Sequence, residues 1–294
     1  MTKQEFADWA GRETIILDGA TGSNLIKAGL KRGVCTEQWI LENPGILTEL
    51  QRAYADAGSN IVYAPTFAAN RLNLKYYGLE ENIRQMNHEL VKLSKEAVQG
   101  RAYVAGDLTT SGKIIGASDE VTYESVLEMY KEQIIYLVEA GVDLLVAETM
   151  ISIDETLAVL DAAAEVCDLP VLCSMTLEAD GSVFAGGTAW DAVESLQEMG
   201  ASAVGLNCSV GPDQLESVVT SMKRVASVPI MAKPNAGMPV ITETGEAIYN
   251  MNAQDFAKHM MVLVKAGAGI VGGCCGTTPE YIAMLAGNIH NMQK

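Results

Sequence analysis

The chain has 294 residues, 49% of them hydrophobic, which supports a large core and argues against a disordered chain. Its formal net charge of −17 repels phosphate backbones, so nucleic acid is not an expected partner, although a local positive field can still bind a small anion. Residues Met1 to Trp9 lack the apolar stretch of a signal peptide, and no apolar run approaches the ~20 residues that span a bilayer, so a cytoplasmic protein with no membrane partner is expected.

Short apolar runs rich in β-branched residues predict strands over 14–20, 60–66, 102–108 and 144–150. The second half adds 170–176, 203–209, 229–235 and 269–275. Runs that are apolar almost throughout suit parallel strands buried on both faces. Between them, helical periodicity covers 44–57 after a long first connection, then 81–98, 123–140, 154–166, 189–199, 212–225, 253–266 and 279–291. Pro44, Pro212 and Pro279 suit first helical turns, Asn252 or Thr278 can cap, and pairs such as Ala266-Gly267 stop the helices. Eight βα units predict an α/β fold, a (β/α)8 TIM barrel forming a single domain over 1–294. An open doubly wound sheet is the alternative.

Such barrels place chemistry where strands end and βα loops begin. The predicted strand ends carry Asp18, Gly19, Thr66, Asp107, Glu148, Asn207, Cys208, Asn235 and the pair Cys274-Cys275. Of the six cysteines, Cys35, Cys167 and Cys173 read as packing residues. Cys208 and the Cys274-Cys275 pair end strands separated by one other, so they lie within roughly 10 Å, two steps of the ~4.8 Å strand spacing. Neighbours on a regular strand face opposite sides, but Gly272, Gly273 and Gly276 permit a bend that turns both sulfurs to one ion.

Three thiolates with an open fourth position make the layout of a catalytic zinc site. His88, His259 and His290 fall in predicted helices and offer no fourth ligand. One Zn2+ per chain on Cys208, Cys274 and Cys275 is the expectation; a core role or a redox pair for Cys274 and Cys275 remain alternatives. A thiol at the open position would lose its proton near neutral pH. With electron-rich sulfur ligands it would stay nucleophilic, which suits attack on an activated methyl carbon.

Residues 16–22 (ILDGATG), 205–212 (GLNCSVGP), 234–239 (PNAGMP) and 272–279 (GGCCGTTP) resemble the homocysteine S-methyltransferase family, over essentially the whole chain. Residues 70–79 (NRLNLKYYGL) and the PNAG motif bring the likeness closest to the homocysteine-binding module of cobalamin-dependent methionine synthase. The resemblance implies a zinc-bearing barrel that methylates homocysteine to methionine, with Cys208, Cys274 and Cys275 as the ligands at the catalytic centre. It implies that Glu148 holds the substrate ammonium and that Asp18 and Gly19 contact its amino-acid end. The amides of Gly19 to Gly22 suit a carboxylate. Asn207, Asn235 and Thr66 are expected to touch substrate or orient loops, and Asp107 to hold the mouth together.

After the third strand those relatives show a Gly-Pro-Ser/Thr-Gly turn where this chain has Thr109-Thr110-Ser111-Gly112. The chain ends at Lys294, without room for folate, cobalamin or reactivation modules. A separate corrinoid protein carrying methylcobalamin is the expected methyl donor. The alternatives are a stand-alone enzyme using S-methylmethionine or betaine, and a non-catalytic zinc-binding subunit of a methyl-transfer assembly.

Overall fold

The strands are β1 (Ile15–Ile16), β2 (Ile61–Tyr63), β3 (Tyr103–Thr109), β4 (Leu144–Met150), β5 (Val171–Met175), β6 (Ala203–Cys208), β7 (Ile230–Pro234), β8 (Pro239–Ile241), β9 (Ala247–Tyr249) and β10 (Ala268–Val271). They come from a computed structural model that describes residues 1–119, 121–242 and 247–292. Eight of them pair in parallel in the order β1-β10-β7-β6-β5-β4-β3-β2, and a bridge from Leu17 to Ile61 joins the first to the last. The order returns to its start, so the fold is a single α/β domain built on a nearly closed, TIM-type barrel. An open doubly wound sheet is ruled out.

Helices follow the strands on the outside, mostly where periodicity places them. Pro44–Asp56, Ile83–Val98, Tyr123–Glu139, Ile153–Val166, Ala189–Glu198, Ala253–Ala266 and Pro279–Met292 match their predictions to within two residues. Asn252 caps its helix by accepting from Asp255 N at 2.9 Å, satisfying an otherwise unpaired amide. The helix predicted over 212–225 is Glu216–Val225, preceded by a 3-10 turn at Pro212–Gln214. Four short helices have no counterpart in the sequence reading: Lys3–Ala10, Gly22–Lys27, Thr36–Glu42 and Arg71–Tyr76. The same holds for the antiparallel hairpin of β8 and β9. Among the described residues no helix is long and apolar enough to cross a membrane.

The barrel is filled by Ile15, Leu17, Ile61, Tyr63, Ala105, Leu144, Val146, Leu172, Ala203, Met231 and Ile270, and Phe6 of the first helix closes its N-terminal end. Phe6 is fully buried, which contributes about 1.5–3 kcal/mol. Alternate residues of a strand share a face, so the positions two beyond Ala105, Val146, Leu172 and Met231 continue the interior toward the C-terminal mouth. Those positions are Asp107, Glu148, Ser174 and Lys233, all buried. A polar layer thus caps an apolar column.

Three barrel strands stop short of their expected ends: β1, expected to 20, at Ile16, β2, expected to 66, at Tyr63, and the eighth. The eighth barrel strand, expected over 269–275, stops at Val271. Beyond it single bonds still reach both neighbours, Gly272 N to Ala232 O on β7 at 3.1 Å and Gly273 N to Asp18 O after β1 at 3.1 Å. Cys274 and Cys275 lie beyond the strand, Cys275 in a turn.

Candidate metal centre and acceptor site

The objection that adjacent strand residues face opposite ways disappears with that boundary. Cys274 N bonds Pro234 O at 2.7 Å, while Cys275 sits in a turn with Gly276 at φ +85°. A Cβ on Gly273 would fall 2.6 Å from the Thr277 side chain, so only glycine lets the chain pass this close. Thr277 in turn donates its hydroxyl to Cys274 O at 2.8 Å and holds the turn.

On the other side, β6 ends by entering the left-handed region at Cys208 (φ +60°) and Ser209 (φ +54°). This is costly for residues with a Cβ, by about 1–2 kcal/mol each. The conformation is held by Ser209 Oγ, which accepts from Leu177 N at 2.7 Å, and by Ser209 O, which accepts from Asn235 Nδ2 at 3.1 Å. Its effect is to break the strand alternation at Cys208.

The sulfurs of Cys208, Cys274 and Cys275 lie within 4.8 Å of one another, and those of Cys208 and Cys275 are 3.9 Å apart. A tetrahedral ion with zinc–sulfur bonds of about 2.3 Å needs sulfur–sulfur separations of about 3.8 Å. The triad therefore fits zinc with closure of under about 1 Å. Each of the three cysteines is partly buried. Hydrogen bonds among the sulfurs push the Cys208 thiol far up and pull Cys275 down, Cys208 being its main donor.

Beside it lies a buried acid cluster with one base. Lys233 Nζ is 3.3 Å from Glu148 Oε1 and 3.4 Å from Asp18 Oδ1, and 4.7 Å from the centroid of the Tyr63 ring. The Asp18 contact is an ion pair without hydrogen-bond geometry, since Oδ1 has no donor among the described residues. Asp18 Oδ2 accepts from Tyr63 N at 2.8 Å.

Burial pushes Asp18 up to about 6, against the pull of Lys233. Burial and then the neighbouring Glu148 carboxylate hold Asp107 well above the usual range. Burial alone would lower Lys233, but Glu148 and Asp18 outweigh it and keep the ammonium charged. Burial likewise pushes Glu148 up, against the pull of Lys233, so three buried carboxyls gather around one buried ammonium.

Asn207 links the two halves. Its Nδ2 donates to Glu148 Oε1 at 3.1 Å and its Oδ1 accepts from Thr149 N at 2.9 Å and Ser174 Oγ at 2.8 Å. Thr66 spends its hydroxyl on the Asp107 backbone, donating to O at 2.9 Å and accepting from N at 3.0 Å, and so shapes that strand end. Asn235 Oδ1 is buried and lacks a donor among the described residues. A Cβ on Gly19 would meet Tyr54 Oη at 2.6 Å. The amide of Ala20 is taken by Thr277 Oγ1 at 3.0 Å, so the expected anion-binding run narrows to its flanks.

The departing Thr109-Thr110-Ser111-Gly112 loop is anchored by Glu155, which accepts from Ser111 N at 2.6 Å and Tyr130 Oη at 2.8 Å. Lys233 was not singled out from the sequence. Counting two residues on from the inward Met231 would have found it.

A family model described as Homocysteine S-methyltransferase matches residues 15–289. The chain is 26% identical over 310 residues to the methionine synthase of Mycobacterium tuberculosis (strain ATCC 25618 / H37Rv), covering 99% of this chain and 26% of that protein. It is 27% identical to the methionine synthase of Mycobacterium leprae (strain TN), covering 94% and 24%. It thus spans about a quarter of the length of the curated relatives it matches. Among solved structures, the metallated form of the homocysteine methyltransferase MmuM from Escherichia coli superposes with a TM-score of 0.79 at 22% identity, covering 96% of this chain and 98% of that one. A methyltransferase from Methanosarcina mazei gives 0.63 at 13% identity, with both chains covered fully at 100%. At these identities the structural likeness concerns the barrel.

Proposed function

The chain belongs to the homocysteine S-methyltransferase family, and from that premise we propose that it methylates the thiol of homocysteine to give methionine at one Zn2+ held by Cys208, Cys274 and Cys275. The observation that carries this reading is the convergence of three sulfurs, within 4.8 Å, beside buried Asp18 and Glu148 carboxylates paired to Lys233. Bound there, zinc supplies the acidity that keeps an acceptor sulfur as thiolate near neutral pH.

The remaining work falls to the chain. Glu148 and the open Oδ1 of Asp18 receive the acceptor's α-ammonium, with Lys233 sustaining both carboxylates as anions. Asn207 fixes Glu148, and Thr66 fixes Asp107 beside it. The amides of Gly19 and Thr21 flank Ala20 and receive the carboxylate, while Asn235 Oδ1 is available to a donor on the substrate. In the transfer, the acceptor sulfur attacks the methyl carbon. A sulfur–carbon bond forms, the bond from donor to methyl breaks, and its electron pair leaves with the donor. The thiol proton is released to solvent on binding.

The likeness of residues 70–79 and the PNAG motif supports methylcobalamin on a separate corrinoid protein as donor. The chain, zinc and homocysteine are to be mixed with each donor in turn. Methionine formed from methylcobalamin supports this donor. Methionine formed from S-methylmethionine or betaine without corrinoid overturns it, and stoichiometric zinc with no turnover from any donor favours a non-catalytic subunit.

One observation favours a second acceptor class. Lys233 already gives Glu148 an ammonium, so a thiol without an amino group would leave that pair intact. Comparing homocysteine with 3-mercaptopropionate as acceptor separates the two.

A further inference from the structure

We propose that Thr149 is a positioning residue of the acceptor subsite. Its amide and hydroxyl set the side chain of Asn207, and through it the Glu148 carboxylate, so that acceptors with an α-amino group are favoured. The role rests on the reading that Glu148 receives the acceptor's ammonium. Thr149 has φ +59°, in the left-handed region, where a β-branched residue is an outlier. Such a conformation persists only where neighbouring contacts hold it.

The sheet is irregular at the same place. Ala147 pairs with Cys173 and Met150 with Met175, so β4 takes three steps where β5 takes two. The extra residue makes a β-bulge at Glu148 and Thr149. Regular alternation would turn Thr149 away from Glu148 and bring Met150 into the barrel. Instead Met150 shares the outer core with Ala147 and Met175, beneath the helices. Thr149 Oγ1 lies 2.7 Å from Asn207 Nδ2, on the side of Glu148. The bulge thus gives the mouth two consecutive side chains.

Asn207 has an acceptor end and a donor end, and its neighbours allow one orientation. Oδ1 accepts from Thr149 N at 2.9 Å and from Ser174 Oγ at 2.8 Å. Nδ2 donates to Thr149 Oγ1 at 2.7 Å and to Glu148 Oε1 at 3.1 Å. A reversed amide would set Oδ1 against the Glu148 carboxylate and Nδ2 against the Thr149 N–H, acceptor on acceptor and donor on donor. Thr149 therefore decides which end of Asn207 meets Glu148. Nδ2 is also 3.9 Å from Cys274 Sγ, so this amide stands between the sulfur end and the ammonium end of the site.

The test is calorimetric titration of the zinc-loaded chain with homocysteine and with 4-mercaptobutyrate, the same thiol acid without the amino group. Thr149→Val keeps the branched shape and removes the hydroxyl. Thr149→Gly removes it while relieving the left-handed backbone, which keeps the test open should Thr149→Val fail to fold. Thr149→Ser retains the hydroxyl. In Thr149→Val and Thr149→Gly the Kd for homocysteine is expected to rise about 3–10-fold, the worth of one hydrogen bond, with 4-mercaptobutyrate unchanged. Thr149→Ser should stay near the wild type. Unchanged homocysteine affinity in Thr149→Val and Thr149→Gly overturns the proposal, and so does an equal loss for both thiols. Thr149→Ser as weak as Thr149→Val overturns it too. A wild type that binds the two thiols equally refutes the ammonium role of Glu148, and this inference with it. A wild-type preference that survives in Thr149→Val and Thr149→Gly sinks this inference alone.

Discussion

Lys233 Nζ, on β7, lies 3.3 Å from Glu148 Oε1, on β4, and both side chains are buried. The lysine is also the cation nearest Asp18, so its removal strands two buried carboxylates. Lys233→Met is expected to lower the unfolding free energy by about 3–5 kcal/mol, read from urea denaturation. Adding Glu148→Gln should recover part of that loss. A single variant as stable as the wild type would show that the pair is not what keeps these acids buried.

Glu148→Gln tests the acceptor subsite. Losing a charged partner for the α-ammonium costs about 1.5–3 kcal/mol, so KM for homocysteine should rise about 10–100-fold. Zinc content should not change, because no metal-ligating sulfur is touched. An unaltered KM sinks the ammonium role for Glu148 and leaves it as the partner of Lys233.

Asp18 gives opposite pH trends for stability and activity. Burial raises its folded pKa to about 6, above the ~3.9 of a free aspartate. Between these values the folded chain holds a proton that the unfolded chain has released. The contribution of this group to stability is therefore largest below about pH 4, falls as pH rises to about 6, and is flat above. Activity runs the other way, since only the anion balances the ammonium. The profile of kcat/KM for homocysteine should show an acidic limb near pH 6, and Asp18→Asn should lack it. A limb that survives in Asp18→Asn belongs to another group.

Much of the barrel is legible in the sequence for a physical reason. Strands buried on both faces are apolar throughout, and β4 over 144–150 coincides with its prediction. The ends are less legible because they depend on partners. β10 stops at Val271, and the segment after it is held by Gly273 N on Asp18 O, from the other end of the chain, and by Thr277 Oγ1 on Cys274 O. The β8–β9 hairpin presents Val240, Ile241 and Ile248 to solvent, so it shows no burial pattern.

The sulfur ligands stand out because two thiols among glycines are poor core material. Lys233 did not stand out, because a lysine in an apolar run reads as a solvent-facing residue. The carboxylates that hold it inside come from β4 and from the residues after β1.

Zinc content of the full chain, purified under reducing conditions and compared with Cys208→Ala, bears most directly on the central claim. The expected result is one zinc per wild-type chain and its loss from Cys208→Ala. A wild type without stoichiometric zinc, or a variant that retains it undiminished, would contradict the site formed by Cys208, Cys274 and Cys275.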